Sequence, residues 1–180
     1  MQSSFYRIYL MILFMTLFMI SVREDAWAHP GHDDPVTISR SSNVYLQQII
    51  PHYLTIQEGL AAGLFDEAVK YAAKVIKEIM EEATSKEKDP SGKKMFKGVA
   101  QAAGFIAASS NIDSSREGFS DLNDKLLPFF NGWPVHISKN GLILYTCKAT
   151  KQWWLQRNGT PRGPYGYSAE TCGELEKKGE

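Results

Sequence analysis

Four successive stretches of this chain place apolar residues at helical spacing, and each is closed by residues that stop a helix. From Val44 to Ala62, Tyr45, Ile49, Tyr53, Ile56 and Leu60 recur on one face, with Leu46, Ile50 and Leu54 beside them. Pro51 falls inside this run, which predicts a kink or a separate short first piece. Gly63 is a fitting stop. From Leu64 to Ala83 the stripe is Phe65, Val69, Ala72, Ile76, Ile79 and Ala83, while Lys70, Lys74, Lys77, Glu78 and Glu82 face away. The stretch SKEKDPSG then breaks the pattern. A third helix is predicted over about Lys93–Ser109, on Met95, Val99, Ala102, Ala103 and Ile106. Its alanines and Gly104 leave little bulk, so a neighbouring helix could approach closely there. The fourth begins at IDSSREGF, where Ser114 and Glu117 fit a capping box and Asp113 is the alternative cap. Phe119, Leu122, Leu126 and Phe129 form its buried face, and Asn131-Gly132-Trp133-Pro134 ends it. Connections this short make antiparallel neighbours the simplest packing, so the expected core is an up-and-down four-helix bundle.

Beyond Pro134 the pattern changes. GLILYTC and WWLQR read as short strands, and Asn158-Gly159 is a turn signal. The expectation is a mainly α protein, with one domain over residues 43–180 whose C-terminal part, residues 135–174, is a small β-hairpin and loop module. Both cysteines of the chain, Cys147 and Cys172, lie in it, with Trp153, Trp154, Tyr165 and Tyr167 between them.

The other end concerns location. Arg7 precedes an apolar run, Ile8 to Ile20, too short for a stable span before Arg23, Glu24 and Asp25. Ala26-Trp27-Ala28 follows as a small-x-small signature. These features predict a signal peptide over residues 1–28, cleaved after Ala28, and a periplasmic or secreted chain without a stable membrane span. Residues 29–42, with His29 and His32, have almost nothing to bury and read as a flexible arm. The remaining roughly 150 residues suffice for one core. Lysines plus arginines equal the acids, 20 against 20, and no basic stripe of the nucleic-acid-binding kind is present.

No Ser-His-acid arrangement with local support, phosphate-cradling glycine loop or Cys-x-x-Cys motif stands out, so the chain does not read as an enzyme. Metal chemistry has more material. After cleavage His29 would offer an amine and an imidazole, with His32 three residues on, as donors for Cu(II), Ni(II) or Zn(II). Cys147 and Cys172 could hold Cu(I) linearly, and His136, in a probable strand before them, could turn toward the pair. In an oxidising compartment the same cysteines could form a disulfide instead, whose loop closure is worth roughly 3–4 kcal/mol in the chain-entropy view. The aromatic residues between them could pack on the helices, cover a bound Cu(I) or form a binding surface. The residues alone leave these readings open.

Three stretches carry a resemblance: YLTIQEGLAAGLFDEAVKYAAKVIKEI, IAASSNIDSSREGFSDLNDKLLPFF, and LYTCKATKQWWLQRNGTPRGPYGYSAETCGE. In this order they resemble the domain-of-unknown-function family DUF3347, over about Asn43 to Glu174. Cys147, Trp154-Leu155, Pro164-Tyr165 and Cys172-Gly173 match the family's most specific motifs. The resemblance implies a helical bundle and an exported accessory role linked to copper or silver efflux or homeostasis. A periplasmic efflux component or metal chaperone would be the partner, and Cu(I) or another heavy-metal ion the cargo. Where the family pattern carries methionines, this chain has Lys148-Ala149 and Ala169-Glu170-Thr171, so those thioether donors are missing. Two functions follow as expectations: a metal-binding or metal-delivering accessory protein using Cys147, Cys172, His136, His29 and His32, or a non-catalytic, disulfide-stabilised interaction module.

Overall fold

A computed structural model describes residues 36–167, Thr171 and the backbone of 175–178. The segment expected to be a signal peptide, its expected cleavage site, His29, His32 and Cys172 lie outside the described residues. Four long helices form the body: α1 (Asn43–Ala61), α2 (Glu67–Lys86), α3 (Pro90–Ala108) and α4 (Ile112–Gly132). A short helix α5 (Val135–Lys139) leads into β1 (Leu142–Cys147), β2 (Trp153–Arg157) and β3 (Leu175–Lys178). The mainly helical fold expected from the apolar periodicity is the fold observed.

Each long helix starts and stops for a local reason. Gly63 takes a left-handed φ of 73° after α1, and the amide of Leu64 reaches back to the carbonyl of Gly59 at 2.8 Å, closing the helix end. Asp66 caps α2 by accepting from the amides of Ala68 and Val69. In SKEKDPSG the breaker is also a starter: Asp89 caps α3 and Pro90 fills its first turn, where a missing amide costs nothing. The cap of α4 is neither Ser114 nor Asp113. Asn111 takes that place, its Oδ1 accepting from the amide of Ser114 at 2.9 Å, so the helix starts earlier than the capping-box pattern suggested. Pro51 does not split α1. The ring deprives only the carbonyl of Gln47 of its helical donor, and Gln47 is exposed, so water can satisfy it.

Packing follows chain order: α1 lies on α2, α2 on α3 and α3 on α4. α1 and α4 touch only sparingly, and β2 lies against both, so the strand module roofs this seam. The core runs without a break from Leu46, Ile56 and Leu60 through Ile76, Met80, Phe96 and Ile106 to Phe119, Leu122 and Trp154. The close approach expected at Gly104 occurs elsewhere. A Cβ at Gly104 would meet only the stem of Lys77, at 3.3 Å, whereas one at Gly118 would lie 2.7 Å from Phe105 and 2.9 Å from Ile106. Gly118 is therefore where α4 seats on α3.

In the sheet β1 is central, antiparallel to β2 on one side and to β3 on the other. The hairpin turns through Lys148–Gln152, with Lys151 left-handed (φ 61°) and its amide bonded to the carbonyl of Cys147 at 2.8 Å. Asn158-Gly159 marks the bend after β2 instead. The arm expected to be flexible is docked from Val36 onward. Thr37 donates to Asp89 at 2.6 Å, the amide of Ser39 to Glu87 at 3.1 Å, and the Trp133 indole to the carbonyl of Val36 at 3.0 Å. Among the described residues no helix is long and apolar enough to cross a membrane.

Two tests follow. Gly118→Val should cost about 1–3 kcal/mol by overpacking, read as a lower denaturant midpoint with an unchanged slope. The docked segment should also be acid-sensitive. Burial alone would raise the Glu87 carboxyl, but the amide of Asp89, the hydroxyl of Ser42 and the amides of Ser39 and Lys88 together hold it below the usual range. Hydrogen bonds from Ser91 and Thr37 pull Asp89 down to about 2. Both folded values are depressed, so this anchoring is complete above the ordinary carboxylate range and lost as pH falls toward about 2. Protection factors at Thr37 and Ser39, with exchange corrected for its intrinsic slowing in acid, should fall over that interval, and Asp89→Asn should shift the onset to higher pH.

Candidate functional site

The strand module concentrates the polar structure of the fold. β1 occupies the centre of the sheet, which leaves the far edge of β2 without a strand partner, and an unpaired edge inside a protein needs other donors and acceptors. They come from side chains. The amide of Leu155 donates to the Tyr53 hydroxyl at 2.9 Å, and Tyr53 donates to Asn123 Oδ1 at 2.7 Å. Asn123 Nδ2 donates to the Tyr165 hydroxyl at 2.7 Å, and Tyr165 donates to the carbonyl of Trp153 at 2.6 Å. The relay begins and ends on β2 and passes through α1, α4 and the loop after the strand. Tyr53 and Asn123 are almost wholly buried. Burial pushes both phenols up, Tyr165 further helped by the neighbouring Tyr53 hydroxyl, so both stay neutral well beyond the usual tyrosine range.

Rings pack around the relay. Tyr53 meets Phe119 at 5.1 Å, Tyr165 stacks on Tyr167 at 5.8 Å, and Trp154 stands edge-on to Tyr165 and stacks on Tyr145. The aromatic residues between the cysteines thus pack against the helices and one another. Two buried glutamines fasten the next loop. Gln156 Oε1 accepts from the Trp154 indole and the amide of Arg162, each at 3.0 Å, and its Nε2 donates to the carbonyl of Thr160 at 3.1 Å. Gln57 Nε2 donates to the carbonyl of Arg162 at 2.8 Å. Arg116 joins the carbonyls of Pro164 and Leu60.

The residues picked out for metal chemistry are placed differently. Cys147 ends β1 and is fully buried, and no free cysteine occurs among the described residues. His136 lies in helix α5 and not in a strand, because Pro134 opens a helical turn. Its ring packs on Phe129, centroids 5.1 Å apart. Burial, then the charge of Lys139, lowers its pKa. His52 is half-buried on α1. Among the described residues no three of His, Cys, Asp and Glu gather as a metal site. His29, His32 and Cys172 are outside that statement.

Sequence reasoning missed Tyr53, Asn123, Gln57 and Gln156 as a polar set. Tyr53 was placed in an apolar stripe, which is correct for its ring, and nothing local announces what its hydroxyl meets 102 residues later in the chain. A signal did exist for Asn123, a polar residue adjoining Leu122 near the buried face of α4.

With the geometry established, comparison adds one finding. Residues 49–134 match the family model described as "Protein of unknown function (DUF3347)". The match supports the family resemblance across the helices, from within α1 through α4, and ends before the strand module that carries the cysteines. No curated protein and no solved structure matched the chain.

Tyr53→Phe should leave the Leu155 amide and Asn123 Oδ1 without this partner and cost about 1–3 kcal/mol, measured by denaturant unfolding. Because the folded phenols have raised pKa values, their contribution is complete below the ordinary tyrosine range and lost as pH rises above it. Spectrophotometric titration of the native protein should show Tyr53 and Tyr165 ionising above the usual tyrosine range, and Tyr53→Phe should remove one of these late ionisations.

Proposed function

We propose that this chain is an exported, non-catalytic interaction module whose strand roof is fastened by a disulfide between Cys147 and Cys172. The observation that carries this reading is the setting of Cys147. It is fully buried, no free cysteine occurs among the described residues, and its register partner on β3 is Leu175. Cys172 is the chain's other cysteine and stands three residues before Leu175. A bond there would tie the incoming end of β3 to the outgoing end of β1. It would constrain a loop that otherwise depends on the tyrosine relay and the two glutamines.

A link to copper or silver systems enters through the family resemblance, which the match over residues 49–134 supports for the helical body. On this reading the role is a docking one beside a periplasmic efflux component or metal chaperone. The packing of His136 on Phe129 and the loss of the family's methionines argue against the strand module as a metal-holding centre.

Alkylation of the native, exported protein followed by mass measurement tests the proposal. No thiol should react before reduction and two should react after it. Reduction should lower unfolding stability by about 3–4 kcal/mol. Two reactive thiols in the native protein, with stoichiometric Cu(I) uptake abolished by Cys147→Ser, would overturn it in favour of metal binding by Cys147 and Cys172, with His136, His29 and His32 as further donors.

A further inference from the structure

Between the C-terminal end of α1 and the loop after β2 lies a cleft of about 490 Å³. Its α1 wall is Gln57, Glu58, Ala61 and Ala62, and its other wall runs from Gln156 through Thr160 to Arg162. Arg157 and Arg162 both line it and both are exposed. Neither makes an ion pair with the acids of the described residues; the arginine and lysines that do are Arg116, Lys70, Lys74, Lys77, Lys86 and Lys125. Among the described residues that line the cleft Glu58 is the one acid, against two arginines.

Arg157 ends β2, in register with Leu142 of β1, and the loop that carries Arg162 is held by groups inside the protein. Gln156 grips the amide of Arg162 and the carbonyl of Thr160, Gln57 grips the carbonyl of Arg162, and the Tyr145 hydroxyl donates to the carbonyl of Gly159 at 3.3 Å. At the C-terminal end of α1 the carbonyls of Gly59 and Leu60 already have partners. The carbonyl of Leu60 accepts from Arg116 and from the amide of Gly63, and that of Gly59 from Leu64. Two arginines that line one cleft, one at the end of β2 and one on the loop held by the glutamines, match the planar, multi-donor recognition of oxyanions.

We propose that this cleft is a binding site for an oxyanion, a carboxylate or phosphate group of a small ligand, held by Arg157 and Arg162. The site is independent of the cysteine pairing proposed above, because its geometry comes from Gln57, Gln156 and Tyr145.

Titration of the full mature chain with inorganic phosphate and, separately, with succinate, at fixed pH and ionic strength, tests this by NMR of backbone amides and arginine Nε–H groups. Saturable shifts confined to Arg157–Arg162 and the end of α1 are expected, with Kd on the order of 1 mM or tighter. Arg157→Gln and Arg162→Gln should each weaken binding at least about fivefold, while Arg40→Gln, a change at an exposed arginine outside the cleft, should not. Saturation by phosphate or by succinate alone would identify which oxyanion the site prefers. Shifts that fail to saturate, that are equal at Arg40, or that persist in both cleft variants would overturn the proposal. The wild-type titration decides the matter even if a variant unfolds.

Discussion

The free edge of β2 is the constraint on which the rest of the structure turns. A three-stranded sheet with β1 in its middle leaves β2 one paired edge and one bare one. That bare edge is pressed against helices, where water cannot replace a missing partner. Tyr53, Asn123 and Tyr165 answer this for two groups of that edge, the Leu155 amide and the Trp153 carbonyl, and join them in a single chain of hydrogen bonds. Every hydroxyl and amide used in that chain has its partner, which is the condition under which a buried polar network stabilises a core. The same relay fixes where the roof sits, because its members come from α1, α4 and the loop behind the strand.

Position then propagates outward. With β2 fixed over the seam between α1 and α4, the loop that follows it must pass the end of α1, where Gln57 and Gln156 take hold of its backbone. Arg157, at the end of β2, and Arg162, on the held loop, therefore both line the cleft beside α1. At the opposite end of β1, Cys147 is buried beside the start of β3. Anchoring of a different kind serves the N-terminal segment. Residues from Val36 onward are held by hydrogen bonds to Glu87, Asp89, Ser91 and Trp133, with Val36 and Ile38 packed against the core beside them.

Much of the helical body was legible because its causes are local. Apolar stripes at helical spacing require burial on one side, and Gly63, Asp66 and Asp89-Pro90 act on backbone groups within a few residues of themselves. Where local reasoning failed, a stronger local or tertiary competitor was present. Asn111 outbid Ser114 as the cap of α4. Pro134 turned the residues around His136 into helix, although Val135 and Ile137 favour a strand. Gly118, and not the small-residue run at Gly104, takes the close contact between α3 and α4, since that depends on which face of α4 meets Phe105.

The sequence by itself determined the four helices, most of their ends, the strand character of LILYTC and WWLQR, and the presence of two cysteines flanking an aromatic segment. These follow from periodicity and capping, which act over a few residues. Only the tertiary structure decided that the strands roof the seam between α1 and α4, that Tyr53 satisfies an amide 102 residues away, that His136 packs on a phenyl ring, and that two arginines share one cleft. Those outcomes depend on which side chain stands opposite which across the core. That pairing is set when whole surfaces pack together, and no short stretch of chain encodes it.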